Sequence, residues 1–525
     1  MSANLSRSQR ITKPAVASRG GVVAAQHRCA AQVGAMVLAE GGDAVDAAVA
    51  VSFAIGVLEP WMSGPAGGGA MLLWRADEGR AHALDYGMRA PAALDPADYP
   101  LAGTGKAGDL FPWEAVVDDR NTQGATAVAV PGLVDGVGRM HARFGTMPWR
   151  DLVAPATRLA REGIVVDWYA ALVIASATRA LAAEPDAAAM FLDDGQWPII
   201  AGWTSLETKR LRFERMADTI ARIAEEGPRE LYDGEVGEAL ARDVAEKGGS
   251  LSAEDLRAYE ARWLDPLAVD HRGARFHVVP GLTAGPTFGD AMAALAARPA
   301  PEGPPGPEDY VALADALAGA YTHRLATMGD RETPAAPGCT THFSIVDRHG
   351  NMVALTQTLL SIFGARTVSP STGLLLNNGI LWFDPVPGRP NSLAPGKRCL
   401  MNVCPALGET ASGGRFAIGA SGGRKIVSAV TQLAAFLTDH AMGLDAAFHQ
   451  PRLDVSTVDT VIADDALPRA VHDALAERGP VVAARRTAFP FAFACPAGVM
   501  REDGVNHGAT EIMSPWGDAV AEDAP

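Results

Sequence analysis

Hydrophobic positions recur along this chain with two different periods, and the change from one to the other divides it. Between Asp43 and Pro60 the run DAVDAAVAVSFAIGVLEP is apolar around its whole circumference. That pattern predicts a helix buried on most sides, capped by Asp43 and ended by Pro60. A helical pattern from Cys29 to Ala39 precedes it and stops at Gly41-Gly42, and before that lies the apolar run Gly21 to Ala25. Residues 1–19 are polar and irregular and read as a flexible leader. From Pro131 to about Glu260 the spacing is mainly helical, and its charged faces read as solvated scaffold. Within it Ser252, with Asp255 three residues on, has the form of a capping box.

After the proline-rich connection Pro299 to Asp309 a helix is predicted from Tyr310 to Met328, followed by the structureless stretch GDRETPAAPGC. There the period becomes two. HFSIVD and MVALTQT, joined at His349-Gly350-Asn351, predict a hairpin. Further on come a strand at FAIGA, a turn at Ser421-Gly422-Gly423 and a helix from about Lys425 to Asp439. Nearer the start, the loop PWMSGPAGGGAMLLW has glycine at 64, 67, 68 and 69 and runs into a strand from Ala70 to Trp74. Such a run allows close approach of backbones or positive φ. No GK[ST] follows, so it is not a P-loop.

With 525 residues, 48% of them hydrophobic, the chain has material for one or two large domains of a soluble globular protein. A net charge of -16 with scattered acidic residues argues against nucleic acid as a partner. No apolar run reaches bilayer-spanning length, so no membrane partner is expected, and the opening MSANLSRSQRITKPAVASRGG has no secretory core; the expectation is a cytoplasmic protein. The five cysteines show neither CxxC nor zinc-like spacing to histidine, which predicts no disulfide framework and no metal site.

Familiar zinc and cysteine signatures are missing: there is no HExxH and no cysteine with evident activation. What remains is the threonine pair Thr340-Thr341 at the mouth of the period-two segment. Threonine is ordinary in a strand because its branched Cβ suits a pleated surface. A chain that begins with threonine, however, carries its own base, an α-amine with a pKa near 8. Scission between Cys339 and Thr340, just after an exposed proline-dense segment that would tolerate a break, would create that group.

Three blocks in fixed order, GGDAVDAAVAVSFAIGVLEPWMSGPAGGGAMLLW, then TTHFSIVDRHGNMVALTQTL with TGLLLNN, then GASGGRKI, identify a resemblance over nearly the whole chain. The chain resembles the gamma-glutamyltransferase family of N-terminal nucleophile hydrolases. The resemblance implies an α/β fold of four αββα layers, two stacked and mainly antiparallel sheets flanked by helices. It implies a precursor that cleaves itself between Cys339 and Thr340 into a large subunit, 20–339, and a small one, 340–525, which remain together in one domain. It makes Thr340 the nucleophile, sets the Thr358 hydroxyl against it, and assigns the oxyanion hole to the backbone N–H groups of Gly422 and Gly423. No cofactor and no metal are implied. The substrate is a small-molecule amide or γ-glutamyl compound, and the acyl-enzyme is resolved by water or an amine.

The chain departs from the family where a γ-glutamyl group would be held. Gly87, in DYGMRAP, stands where the family offers arginine to the substrate carboxylate; Arg89 lies two positions on, on the same face if a strand continues. Leu360 replaces an asparagine, Gly379 to Phe383 replace a polar QMDDF, and Met401-Asn402 replace a serine pair. A zwitterionic head would bind poorly among apolar groups. Arg89, Asn402 and Arg424 are the polar candidates for substrate contact, although Arg424 also fits an ordinary surface arginine at a helix start. Trp382 either packs on substrate or fills the former charge pocket. The alternatives to a γ-glutamyl enzyme are a hydrolase of a small amide or N-acyl compound, similar to oxamate amidohydrolases or cephalosporin acylases, and an uncleaved, non-catalytic scaffold.

Overall fold

The period-two segments pair into two seven-stranded sheets in which every neighbouring pair is antiparallel. In chain order their strands are β1 (Val16–Ser18), β2 (Val22–Ala25), β3 (Gly68–Arg75), β4 (Arg80–Tyr86), β5 (Arg262–Leu264), β6 (Leu267–His271), β7 (Ala274–Val278), β8 (Cys339–Val346), β9 (Met352–Leu360), β10 (Ala406–Glu409), β11 (Arg415–Ser421), β12 (Cys495–Glu502), β13 (Val505–Thr510) and β14 (Asp518–Ala521). The first sheet runs β1-β13-β12-β11-β10-β7-β6 and the second β5-β4-β3-β9-β8-β2-β14. This computed structural model describes residues 11–106, 113–200, 207–328, 339–457 and 459–524.

Alternation along the strands sorts side chains into three apolar layers, which is what four stacked layers require. Val23, Ala25, Phe343, Ile345, Val353 and Leu355 face the helices Arg28–Ala39 and Ala44–Leu58. Val22, Ala24, Ala354, Ala417, Ala497 and Val499 fill the space between the sheets. Phe276, Phe416, Ile418 and Met500 face the helices Gly285–Ala296, Pro307–Thr327 and Lys425–Thr438. The fold is the four-layer αββα sandwich expected from the sequence.

The helix Ala44–Leu58 is buried at every position and is capped by Asp43, with Asp46 completing a capping box. The box at Ser252 and Asp255 also forms and opens the helix Ala253–Arg257. The leader is corrected in part. Val16–Ser18 is an edge strand paired with β13, and the Lys13 ammonium donates to the carbonyls of Glu511 and Ser514 at 3.0 and 2.7 Å. Chain 1–10 and the upstream side of the expected scission, 329–338, lie outside the described residues. Among the described residues no helix is long and apolar enough to cross a membrane, and no group of three His, Cys, Asp or Glu could hold a metal ion.

Candidate active site

Thr340 and Thr358 are brought together by strand register. Thr341 pairs with Gln357 and His342 with Thr356, but Cys339 pairs with Leu360, so the register shifts at Thr340. Carrying the Thr341 register back by one residue sets Thr340 opposite Thr358, and cross-strand partners share a face. A bulge at this point re-aims a side chain without moving the rest of the strand. Thr358 accepts the Leu360 N–H on its hydroxyl oxygen at 2.8 Å. Leu360 is held at φ +88°, a conformation that a bulky side chain adopts at a cost of about 1–3 kcal/mol. Asparagine, the residue the family pattern expects there, tolerates positive φ better.

The glycines of the 64–69 loop serve close approach: none of the four has positive φ. A Cβ at Gly69 would lie 2.1 Å from the Thr356 carbonyl oxygen, and one at Gly67 would lie 2.4 Å from that of Thr358. Strand β3 is thus pressed against the strand that carries Thr358. Asn377, from TGLLLNN, fixes the same loop by donating to the carbonyls of Ala66 and Ala129.

The Gly422-Gly423 turn lies at the Thr340 end of the sandwich. His342 stands on the same strand face as Thr340 and packs on Gly419, where an added Cβ would fall 2.3 Å from the imidazole. Gly350, at the far end of the β8–β9 hairpin, abuts Arg501, which pairs with Arg415 at the start of β11. The Ser421 end of β11 therefore meets the Thr340 end of β8. Gly422 and Gly423 take φ of +126° and +65°, and among the described residues nothing accepts from their N–H groups. The His342 ring is tied to the hydroxyls of Thr356 and Ser344 at 2.8 and 2.9 Å. Burial pushes its pKa down to about 3, so it stays neutral and is a poor proton acceptor.

The positions at which the chain leaves the family pattern converge in one apolar cluster. Leu360, Ile380, Leu381, Trp382 and Met401 are all fully buried together with Met88 in the layer between the sheets. A Cβ at Gly87 would lie 2.8 Å from Met401 Cε, and one at Gly379 would lie 3.0 Å from Met88 Sδ. An added side chain at 87 would thus meet Met401, and one at 379 would meet Ala129, at 2.7 Å, as well as Met88.

Of the substrate-contact candidates, Trp382 is wholly buried in this cluster. β4 ends at Tyr86, where Asp85 Oδ1 accepts the Gly87 N–H at 2.8 Å, and Arg89 stands beyond it in isolated antiparallel bridges to Val130 and Arg398. Its guanidinium points to the Asp255 carbonyl at 3.3 Å. Asn402 is buried, with Oδ1 accepting from Arg324 at 3.2 Å and Nδ2 unpaired among the described residues. Arg424 is half-buried just ahead of the helix Lys425–Thr438; burial lowers its pKa while nearby Tyr321 and Asp454 oppose that shift.

Three residues near this site were not singled out in the sequence. Arg324 is buried without a carboxylate partner among the described residues, donating to Thr283 O, Thr287 Oγ1, Met401 O and Asn402 Oδ1, and burial lowers its pKa to about 10. Glu59 and Gln26 both contact the Thr341 hydroxyl. The available signal is a carboxylate, Glu59, at the end of a helix that carries no other charge after Asp46, and a lone amide, Gln26, closing the strand VVAA.

Known proteins resemble this chain over most of its length. The family profile described as Gamma-glutamyltranspeptidase matches residues 30–339 and 332–512. The acylase ACY 1 proenzyme of Pseudomonas sp. (strain V22) is 34% identical over 508 residues, covering 89% of this chain and 88% of its own. The glutathione hydrolase proenzyme of Bacillus subtilis (strain 168) is 29% identical over 507 residues, covering 86% and 84%. The crystal structure of a cephalosporin acylase from Bacillus halodurans superposes with a TM-score of 0.86 over 100% of both chains at 24% identity, a likeness of fold. The chain belongs to the gamma-glutamyltranspeptidase family of enzymes.

Proposed function

We propose that this protein is an autoprocessing amidohydrolase whose precursor breaks between Cys339 and Thr340, and that the mature enzyme removes an acyl group other than γ-glutamyl from an amide. The two subunits, 20–339 and 340–525, stay paired because strand β8 remains inside its sheet. Thr340 Oγ1 attacks the amide carbonyl and its freed α-amine takes the proton, a role the buried and neutral His342 is unsuited to fill. The N–H groups of Gly422 and Gly423 bind the oxyanion of the tetrahedral intermediate. That intermediate collapses by expelling the amine, which receives the proton from the α-ammonium. Water then attacks the ester on Thr340 with the same amine as base, and the free acid leaves. Thr358, opposite the nucleophile, orients its hydroxyl.

One observation carries the substrate reading: a side chain at position 87 would collide with Met401, so the space for an arginine that grips a γ-glutamyl carboxylate is closed. Asn402 Nδ2 and Arg324 Nε are buried donors without acceptors among the described residues, which suits an acyl group that brings an acceptor of its own. The similarity to proteins named acylase fits this choice, and the similarity to glutathione hydrolases supplies the competing one.

Purified protein should run as two fragments on a denaturing gel, the smaller beginning at Thr340, whereas Thr340→Ala should remain one chain and inactive. Matured protein should release N-acyl amines faster than a γ-glutamyl anilide. Efficient turnover of the anilide would refute the substrate reading, and activity in Thr340→Ala would refute the mechanism.

A further inference from the structure

Behind the site, on the opposite face of the same strand, the Thr341 hydroxyl lies between two acceptors. Its oxygen is 3.0 Å from Glu59 Oε2 and 3.1 Å from Gln26 Oε1. Gln26 has its amide orientation fixed, because Nε2 donates to the Cys495 carbonyl at 2.7 Å. A hydroxyl has one proton to give, so both contacts can be hydrogen bonds only if one neighbour brings a proton. Gln26 Oε1 has none. The carboxyl of Glu59 must carry it, giving a chain with one direction: Glu59 donates to Thr341, Thr341 to Gln26, and Gln26 to the Cys495 carbonyl.

The chain links elements that are remote in sequence. Glu59 closes the buried helix Ala44–Leu58, Thr341 follows Thr340 on β8, and Gln26 follows β2. Cys495 opens β12 and pairs with Ser421, the residue before Gly422. Ala494 presses on Gly422, whose added Cβ would lie 2.9 Å from Ala494 Cα. We propose that Glu59, as the neutral acid, is a positioning residue: its proton orders a relay through Thr341 and Gln26 that locks the Thr340 strand to the strand beside the Gly422-Gly423 turn.

The surroundings favour the neutral acid. Glu59 is buried, and among the described residues no cation pairs with it. The titratable groups facing it are the Tyr169 hydroxyl, from the helix Trp168–Leu181, and the Cys495 thiol of β12. Both are pushed upward by burial and stay neutral through physiological pH. Lys13, Glu511 and Asp167 stand one shell further out, beside Cys495 and Tyr169. Burial raises the Glu59 pKa from 4.5 to about 8. Between those values the unfolded chain has released the proton and the folded chain has kept it, so this group lowers stability as pH rises through the window, and the effect levels off above about 8.

Ionisation above that point leaves two acceptors, Glu59 and Gln26, competing for one hydroxyl proton, and the relay loses its order. Glu59→Gln is neutral at every pH and has an N–H to donate to Thr341. Three measurements on wild type, Glu59→Gln and Thr341→Val test the relay. The first is kcat against pH on matured enzyme: wild type should fall above pH about 8 while Glu59→Gln does not, and Thr341→Val should be low throughout with KM little changed. The second is Tm against pH, where the advantage of Glu59→Gln over wild type should grow from about pH 5 to pH 8, reflecting roughly tenfold in the folding equilibrium per pH unit. The third is hydrogen exchange of peptides from β8 and β12, corrected for intrinsic rates, which should quicken above pH 8 in wild type alone. Superimposable kcat and exchange profiles for wild type and Glu59→Gln would overturn the inference, even if the Tm curves diverge. Only the kinetic arm rests on Thr340 as nucleophile. If no amide is turned over at any pH, that reading falls and the exchange arm still decides the relay.

Discussion

If Met401 occupies the room of a missing side chain at position 87, the two positions must be energetically coupled, and the structure fixes the sign. In Gly87→Ala the new methyl would lie 2.8 Å from Met401 Cε, 3.3 Å from its Sδ and 3.0 Å from Asp85 Oδ1. The thioether end can yield, but it is fully buried in the apolar layer between the sheets, so overpacking should cost about 2 kcal/mol, within the usual range of roughly 1–3. Met401→Ala removes a fully buried side chain and should cost about 3 kcal/mol, transfer and cavity together. In the double variant the methyl at 87 no longer meets sulfur or Cε and fills part of the cavity. The pair should therefore cost about 3–4 kcal/mol instead of the sum of about 5, a coupling of about 1–2 kcal/mol in the stabilising direction. Urea unfolding of all four proteins in a Thr340→Ala background, which keeps each as one chain, measures the cycle. Additivity within about 0.5 kcal/mol would mean that the two side chains do not compete for one space, and the case for a closed γ-glutamyl pocket would be lost.

Two other substitutions probe the frame around the threonine pair. Thr358→Val keeps the shape but strands the Leu360 N–H that now donates to the hydroxyl; stability should drop by about 1–3 kcal/mol and kcat by tenfold or more, while Thr358→Ser should recover most of both in unfolding and steady-state assays. Gly69→Ala puts a methyl 2.1 Å from the Thr356 carbonyl, a backbone contact that cannot swing away, so β3 must part from β9 and Tm should fall by several degrees, whereas Gly79→Ala, at an open turn with φ +59°, should cost only about 1 kcal/mol.

What the sequence disclosed, and what it hid, follows from the range of the interactions involved. The hairpin of β8 and β9 is legible because period-two alternation and a short turn set register locally, whereas setting Thr358 against Thr340 needs the family resemblance, because the register shifts at Thr340. The caps at Asp43 and Ser252 are legible for the same reason. The end of β4 at Tyr86, which leaves Arg89 in separate bridges, is hidden because a side chain, Asp85, captures the next backbone N–H, and alternation does not register such a capture. Val16–Ser18 was read as leader because an edge strand this short is made by its partner, β13, and not by its own pattern. The complementarity of Gly87 and Met401 joins residues far apart in the chain and exists only once the layers have stacked.

The same distinction explains why two threonines stand together. Successive residues of a strand point to opposite faces, so Thr340 looks into the space between the sheets, with His342 and Thr358, and Thr341 looks toward the helical layer, with Gln26 and Glu59. A hydroxyl on the first face is set opposite Thr358, the place that the proposed mechanism gives to the nucleophile. A hydroxyl on the second joins a helix to two strands through one proton. Thr341→Ser should then be tolerated and Thr341→Val should not, although valine has the better strand propensity. If propensity were the reason for the second threonine, valine would serve as well.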